Sequence, residues 1–125
     1  MNDFYKLQLK KYSLNWRVKK DGNYYTLFGN DYKSLTYPAV YKIFTYDVIL
    51  KVGQSRNIGY RITDHQQNKD FQNYNKRNIL LFISWAKAPE SYLDGVEAYL
   101  GKYYQPLIGE RFPDVAPIPV NLLLP

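Results

Sequence analysis

The stretch that decides the fold covers residues 38–65 and reads PAVYKIFTYDVILKVGQSRNIGYRITDH. Residues 39–46 are aromatic and β-branched, and a second apolar run at 48–52 follows after little more than Asp47. Two short runs of this composition, so closely spaced, predict a tight antiparallel pair of strands. Gly53 is expected to break the second strand.

A helix is expected to follow this pair of strands. Asn57 is of the residue type that caps helix N-termini. Ile58 and Ile62 lie one turn apart and should face inward, with Arg61 beside them. Residues 66–78 are almost wholly polar, and we interpret them as the end of this helix followed by an exposed loop.

Segments on either side of this stretch complete the sheet. In residues 14–28, Asp21-Gly22 lies between partly alternating β-prone runs, a pattern that predicts a β-hairpin. Residues 79–86 form a continuous apolar run, which is typical of a central strand buried on both faces.

A last helix should begin near Pro89 and end at about Tyr104, before the next proline. Ser91 and Asp94 are expected to form a capping-box-like pair at its start. Residues 109–125 contain prolines at alternating positions and should lie extended against the body of the protein.

These elements predict an α/β fold of the α+β type. We expect a small, three-stranded, largely antiparallel central sheet flanked by helices, with an N-terminal basic β-hairpin extension. A chain of 125 residues is expected to form one structural domain. Within it, residues 1–36 would form the extension, 37–108 the core and 109–125 the tail.

Composition limits the kinds of site that the chain can build. It contains no cysteine and one histidine, which excludes disulfides, thiolate metal sites and multi-histidine metal sites. Any metal should therefore be a hard ion held by carboxylate and water, which favours Mg²⁺.

No apolar run approaches the roughly 20 residues of a membrane span, and the N-terminus lacks a signal-peptide pattern. We expect no membrane partner and a soluble, intracellular, cytoplasmic protein.

The positive charge is concentrated near the N-terminus. The formal net charge is +6, and residues 1–35 carry +4 of it. Such a segment suits a polyanionic partner, since neutralised phosphates release counterions, but a solubilising surface would look the same. We hypothesise that cations of this segment, together with Arg56, contact a nucleic-acid backbone. The candidate contact residues are Lys10, Lys11, Arg17, Lys19, Lys20 and Arg56.

Glu97 is the most informative residue outside the opening stretch. In the predicted helix it lies on the stripe that also carries Leu93, Leu100 and Tyr104. A carboxylate on an apolar face is costly unless it is paired or binds a metal. A position at the rim of the core, or an ion pair with Arg61, is the structural alternative.

Four further side chains suit chemistry on a phosphate. Arg61 and His65 are four residues apart and share a helix face, where the arginine can hold a phosphate by its planar fork. Tyr41 lies mid-strand, and a cation such as Lys51 on the paired strand would favour its phenolate. Ordinary packing of Tyr41, a surface position for His65 and snorkelling of Lys51 remain alternatives.

In this order and spacing, the residues resemble the catalytic core of the GIY-YIG endonucleases over residues 37–108. The family's first motif corresponds to Ala39-Val40-Tyr41 and its second to Lys51-Val52-Gly53. Arg61 follows that glycine by eight residues, as the family's helix arginine does. Later elements correspond to Glu97-Ala98-Tyr99-Leu100 and Gln105-Pro106-Leu107.

The resemblance implies a metal-dependent DNA endonuclease that hydrolyses phosphodiester bonds. Glu97 would hold one Mg²⁺ or Mn²⁺ ion, and Tyr41 would take a proton from the attacking water. Arg61 and Lys51 would stabilise the phosphate, and His65 would orient the nucleophile or donate to a phosphate. DNA is the implied partner, and a homodimer would suit double-strand cleavage.

Three departures from the family pattern keep alternatives open. Ala39 replaces the first motif glycine, Lys51 replaces the second motif tyrosine, and the closing asparagine is missing after Pro106-Leu107, where Asn121 is a possible substitute. Because Lys51 stands in place of the second motif tyrosine, a nuclease fold that binds nucleic acid without cleaving it is the main alternative. The other alternative is an interaction domain in which the motif spacing is accidental. Motif residues that lie far apart in the fold would indicate it.

Overall fold

The computed structural model describes residues 11–46, 48–108 and 112–122, so that Lys10 and Asp47 lie outside the described residues. The strands are β1 (Trp16–Arg17), β2 (Lys19–Lys20), β3 (Asn23–Tyr24), β4 (Ala39–Thr45), β5 (Val48–Ser55) and β6 (Phe82–Lys87). The helices are α1 (Ile58–Gln66), α2 (Lys69–Lys76) and α3 (Leu93–Tyr104), preceded by a 3-10 turn at Glu90–Tyr92.

The central sheet is antiparallel, and the mixed α/β class is confirmed. Its strand order is β1-β6-β4-β5, so the three predicted strands are joined by a fourth, two-residue edge strand from the N-terminal segment. The predicted hairpin is also present as the separate pair β2-β3. Its turn residues Asp21 and Gly22 have φ of 53° and 82°, the positive values that a type I′ turn requires.

The expectation that Gly53 ends the second strand is wrong. β5 continues to Ser55, and Gly53 is paired with Tyr41 in the ladder between β4 and β5. The glycine is tolerated within the strand because the tyrosine ring occupies the space beside its Cα.

The first core helix agrees with its prediction. The side chain of Asn57 caps α1 by accepting the N–H of Tyr60 at 3.1 Å. Ile58 and Ile62 are fully buried, whereas Arg61 is half-exposed at the helix edge.

The interpretation of residues 66–78 as an exposed loop is wrong, since most of this segment forms α2. The Asn68 side chain accepts the N–H groups of Asp70 and Phe71, which caps the helix. Phe71 is 1 % exposed and packs edge-on against His65. One capping side chain and one buried ring hold a helix that is otherwise polar. Because its sequence has so few apolar positions, it resembles a loop.

The last helix ends at Tyr104, as expected, with Gln105 in the left-handed region at φ 45°. The predicted capping pair is wrong, because the 3-10 turn delays the start of α3 to Leu93 and no side chain caps it. Asp94 therefore lies in the first turn of α3, where its carboxylate accepts a hydrogen bond from Gln54 Nε2.

Successive residues of β4 face two separate cores. Tyr41 packs with residues of α1 and α2, and Val40 packs with residues of α3. The described part of the tail lies against the N-terminal segment, where Tyr12 and Val120 form a parallel bridge. Among the described residues, no helix is long and apolar enough to cross a membrane.

Candidate active site

Four of the five predicted catalytic side chains line one small cavity of about 40 Å³. They are Tyr41 on β4, Lys51 on β5, Arg61 on α1 and Glu97 on α3. A cavity of this volume has room for a few water molecules, because one water needs roughly 10–15 Å³ of such space. We call this cavity the cleft.

Tyr41 forms the floor of the cleft and contacts the fifth predicted residue. Its hydroxyl lies 2.5 Å from Nε2 of His65, a hydrogen-bond distance. Both side chains are buried, with exposed fractions of 1 % and 4 %. The ring of His65 also contacts Phe71 on α2, which fixes the plane of the imidazole. The helix that sequence reasoning missed therefore supports the group beside Tyr41.

Lys51 lies on the same sheet face as Tyr41. It pairs with Ile43, which is two residues from Tyr41 along β4, and side chains at this spacing point to one face. Lys51 is 5 % exposed, so the alternative that it snorkels to solvent does not describe this fold. Lys51 is one of the residues that line the cleft.

Arg61 has a carboxylate partner that sequence reasoning missed. Its Nη1 donates to Oδ2 of Asp64 at 2.9 Å, one turn along α1. The pair is partly exposed, so its net stabilising effect is small, on the order of 0.5 kcal/mol. Its consequence is geometric, because the aspartate restrains the guanidinium at the edge of the cleft. The spacing of the two residues in the sequence was the available signal.

Glu97 is half-buried on the stripe predicted for α3, between the buried Leu93 and Leu100. One turn earlier, Asp94 accepts the hydrogen bond from Gln54, which also lines the cleft. This contact ties α3 to β5 beside the site and holds the glutamate at the cleft wall.

The donors around the cleft fit a hydrated hard cation. Glu97 is the one carboxylate among the described residues that line it, and these residues include no group of three His, Asp or Glu side chains. Mg²⁺ is often held by one or two carboxylates while water and substrate phosphate supply the remaining ligands. The set of donors therefore fits Mg²⁺ or Mn²⁺.

The cleft carries a net positive charge and adjoins a larger cavity. Lys51 and Arg61 oppose the single charge of Glu97, an arrangement that suits an anion. Both cations also line a neighbouring cavity of about 380 Å³, which contains His65 as well. Phe112, from the predicted tail, closes another side of the cleft. No local sequence pattern links Phe112 or Gln54 to the site.

Lys42, the next residue on β4, faces away from the cleft. It is fully buried, and its ammonium lies 4.9 Å from the ring centroids of both Phe44 and Tyr104. Burial lowers the pKa of Lys42 to about 8. Its partner on β6 is Ser84, whose buried hydroxyl has no hydrogen-bond partner among the described residues.

The residues proposed to contact a nucleic-acid backbone lie on the surface, apart from Lys10, which is not described. Lys19 stands over the ring of Tyr24, and Arg56 forms an exposed ion pair of 2.9 Å with Glu90. None of these described cations is among the residues that line the cleft. The exposed residues of this set are Lys11, Arg17, Lys19, Lys20 and Arg56.

Asn121, the possible substitute for the family's closing asparagine, holds the tail in place. Its side chain accepts the N–H of Leu14 at 2.6 Å and donates to the carbonyl of Leu14 at 2.9 Å.

Comparison with protein-family models found no match, and neither did comparison with curated proteins or with solved structures.

Proposed function

We propose that this protein is a metal-dependent DNA endonuclease of the GIY-YIG type. The observation that supports the proposal is the meeting of Tyr41, Lys51, Arg61 and Glu97 at one cleft, although they are spread over 57 positions of the chain. An interaction domain with accidental spacing would have no reason to bring them together. The charges of the cleft, two cations and one carboxylate, match a phosphodiester with a bound divalent cation.

In the proposed mechanism, Glu97 would hold a divalent cation, which would supply Lewis-acid stabilisation to the departing 3′ oxygen. The Tyr41 oxygen accepts a proton from the attacking water, while the phenolic proton passes to Nε2 of His65 along their hydrogen bond. This relay leaves a neutral tyrosine and a protonated imidazole. Arg61 and Lys51 offset the negative charge that develops on the phosphate.

Lys51 supports the alternative of a DNA-binding protein without nuclease activity, because it replaces a tyrosine of the family pattern. Its buried ammonium can instead contact the scissile phosphate, a role that a tyrosine hydroxyl fills less strongly. A double-strand break would need two such sites, so cleavage of both strands implies a dimer, whereas a monomer would nick.

Nicking of supercoiled plasmid in Mg²⁺ or Mn²⁺ distinguishes the two functions. We expect nicking by the unmodified protein and a loss of roughly 100-fold or more in Glu97→Gln, with DNA affinity nearly unchanged. Asp114→Asn is the matched control, since Asp114 is an exposed carboxylate outside the cleft and its replacement also removes one negative charge. DNA binding without nicking by the unmodified protein would establish the inactive alternative. Full activity in Glu97→Gln would refute the role as metal ligand.

A further inference from the structure

The cleft opens into a longer groove. Lys51 and Arg61 line both the cleft and the neighbouring cavity of about 380 Å³. That cavity shares Asp70 and Ile108 with a third cavity of about 290 Å³, which reaches Arg77 at the end of α2. The three cavities therefore adjoin one another from the cleft, past the junction of α1 and α2, to the far end of α2. We call this feature the α2 groove.

Polar groups of both signs line the α2 groove. Cations stand at its two ends, Lys51 and Arg61 at the cleft and Arg77 at the far end. Two carboxylates lie between them, Asp64, which is paired with Arg61, and Asp70. Among the described residues, neither the Asp70 carboxylate nor the Arg77 guanidinium has a hydrogen-bonding or ionic partner. Both groups are thus available to a ligand.

The larger cavity also offers amide groups and an aromatic neighbour. Gln67 and Asn68 line it and follow directly on α1. Tyr74, half-buried on α2, lines the third cavity beside Arg77. Cations along a groove together with an aromatic side chain are the features by which proteins hold single strands, the cations on phosphates and the ring on a base.

We propose that the α2 groove holds an unpaired strand of DNA that continues from the phosphate in the cleft. This inference rests on the proposed nuclease function and adds a substrate class, DNA with a single-stranded arm. Arg61 and Arg77 would contact phosphates, and Asp70 would accept hydrogen bonds from exocyclic amino groups of unpaired bases. The backbone of a paired duplex suits the groove less well, because its phosphates would meet the Asp70 carboxylate.

The size of the cavities agrees with this occupant. At about 380 and 290 Å³, the two cavities beyond the cleft are near the lower limit of ordinary small-ligand sites, which begin at about 300 Å³. The volume of each cavity suits one nucleotide rather than a duplex. The groove would therefore take successive nucleotides of one strand.

The test compares binding of two DNAs without divalent metal, so that cleavage plays no part. Both contain the same duplex, and one carries an unpaired arm of about ten nucleotides, within the range that single-strand sites cover. By fluorescence anisotropy in EDTA, we expect the unmodified protein to bind the armed DNA roughly tenfold more tightly. Arg77→Gln should remove most of this difference. Lys76→Gln, at the adjacent exposed cation outside the groove, should retain it.

Each outcome has a defined meaning, provided that both variants melt at the temperature of the unmodified protein. Equal affinities of the unmodified protein for the two DNAs would overturn the proposal. Equal weakening of both DNAs by Arg77→Gln would also overturn it, because that residue would then contact duplex. If the armed DNA is preferred but no metal supports nicking, the nuclease function fails while the groove assignment stands.

Discussion

The ring of Tyr41 lies over Gly53, its antiparallel partner on β5, so closely that a Cβ at Gly53 would be 2.6 Å from Cζ of the tyrosine. Gly53 has no positive φ, so its backbone conformation is open to other residues. The glycine is required there by space and not by a turn. The space that it leaves allows the tyrosine hydroxyl to reach His65 at the floor of the cleft.

Gly53→Ala is therefore expected to reduce nicking without abolishing DNA binding. The added methyl displaces the Tyr41 ring, and a shift of about 1 Å at a reacting group can cost roughly 100-fold in rate. Plasmid nicking and DNA affinity should be measured on the same preparations. If the methyl acts through the tyrosine, Gly53→Ala with Tyr41→Phe will be no slower than Tyr41→Phe alone. Normal nicking by Gly53→Ala would contradict this relationship.

The hydrogen bond between Tyr41 and His65 leads to a second prediction. His65→Phe keeps a ring against Phe71 but removes the acceptor, so the rate of nicking should fall by about 10² to 10⁴, the usual contribution of a proton-transfer group. His65→Gln retains a hydrogen-bond acceptor for the tyrosine hydroxyl but cannot take up its proton, so its rate should stay close to that of His65→Phe. DNA affinity should change little in either variant. A rate in either variant close to that of the unmodified protein would show that His65 does not take up a proton.

Much of the core was predictable because its signals are local. The strands β4 and β6 are apolar runs, and the cap at Asn57 lies directly before an amphipathic turn. Helix α2 was missed because Phe71 is its one buried residue. The pairing of Trp16 with Ala86 was missed because a two-residue strand has no periodicity to detect. That strand exists because β6 offers it a free edge.

The residues of the cleft also differ in how far the sequence could predict them, according to whether their contacts are local or distant in the chain. Arg61 and His65 could be placed together because residues four apart share a helix face. Arg61 and Glu97 meet at the cleft, a proximity that was open in the sequence as an ion pair and that the family resemblance also implied. Gln54 and Phe112 line the cleft through contacts that depend on how α3 and the tail pack. Neither has a sequence neighbour that marks it.

Burial of Lys42 predicts a rise in stability at alkaline pH. Its pKa is about 8 in the folded protein and 10.5 in the unfolded chain, so the unfolded chain binds more protons between these values. Stability linked to Lys42 is therefore lowest below pH 8 and increases as the pH rises toward 10.5, by about 3 kcal/mol in total. Lys42→Met, which keeps the stem, should lack this increase. Urea unfolding between pH 7.5 and 10 measures it.

Comparing the unmodified protein with Lys42→Met also removes an effect of Tyr32 that opposes the rise in stability. Burial raises the pKa of Tyr32 to about 12, so the unfolded chain loses that proton first and stability falls above pH 10. This contribution is the same in the unmodified protein and in Lys42→Met. The difference between their stability curves thus isolates the lysine. Parallel curves over the whole range would rule out a neutralised Lys42.

The basic hairpin provides a last prediction, on the salt dependence of DNA binding. Lys19 and Lys20 form β2 on the surface, and each phosphate contact contributes about 0.9 to the slope of log affinity against log salt concentration. If both contact DNA, their replacement by glutamine should reduce the slope by about 2. Replacing Lys33 and Lys102, two other exposed lysines, removes the same charge and should leave the slope nearly unchanged. An identical reduction in both pairs would mean that net charge, and not the hairpin, attracts the DNA.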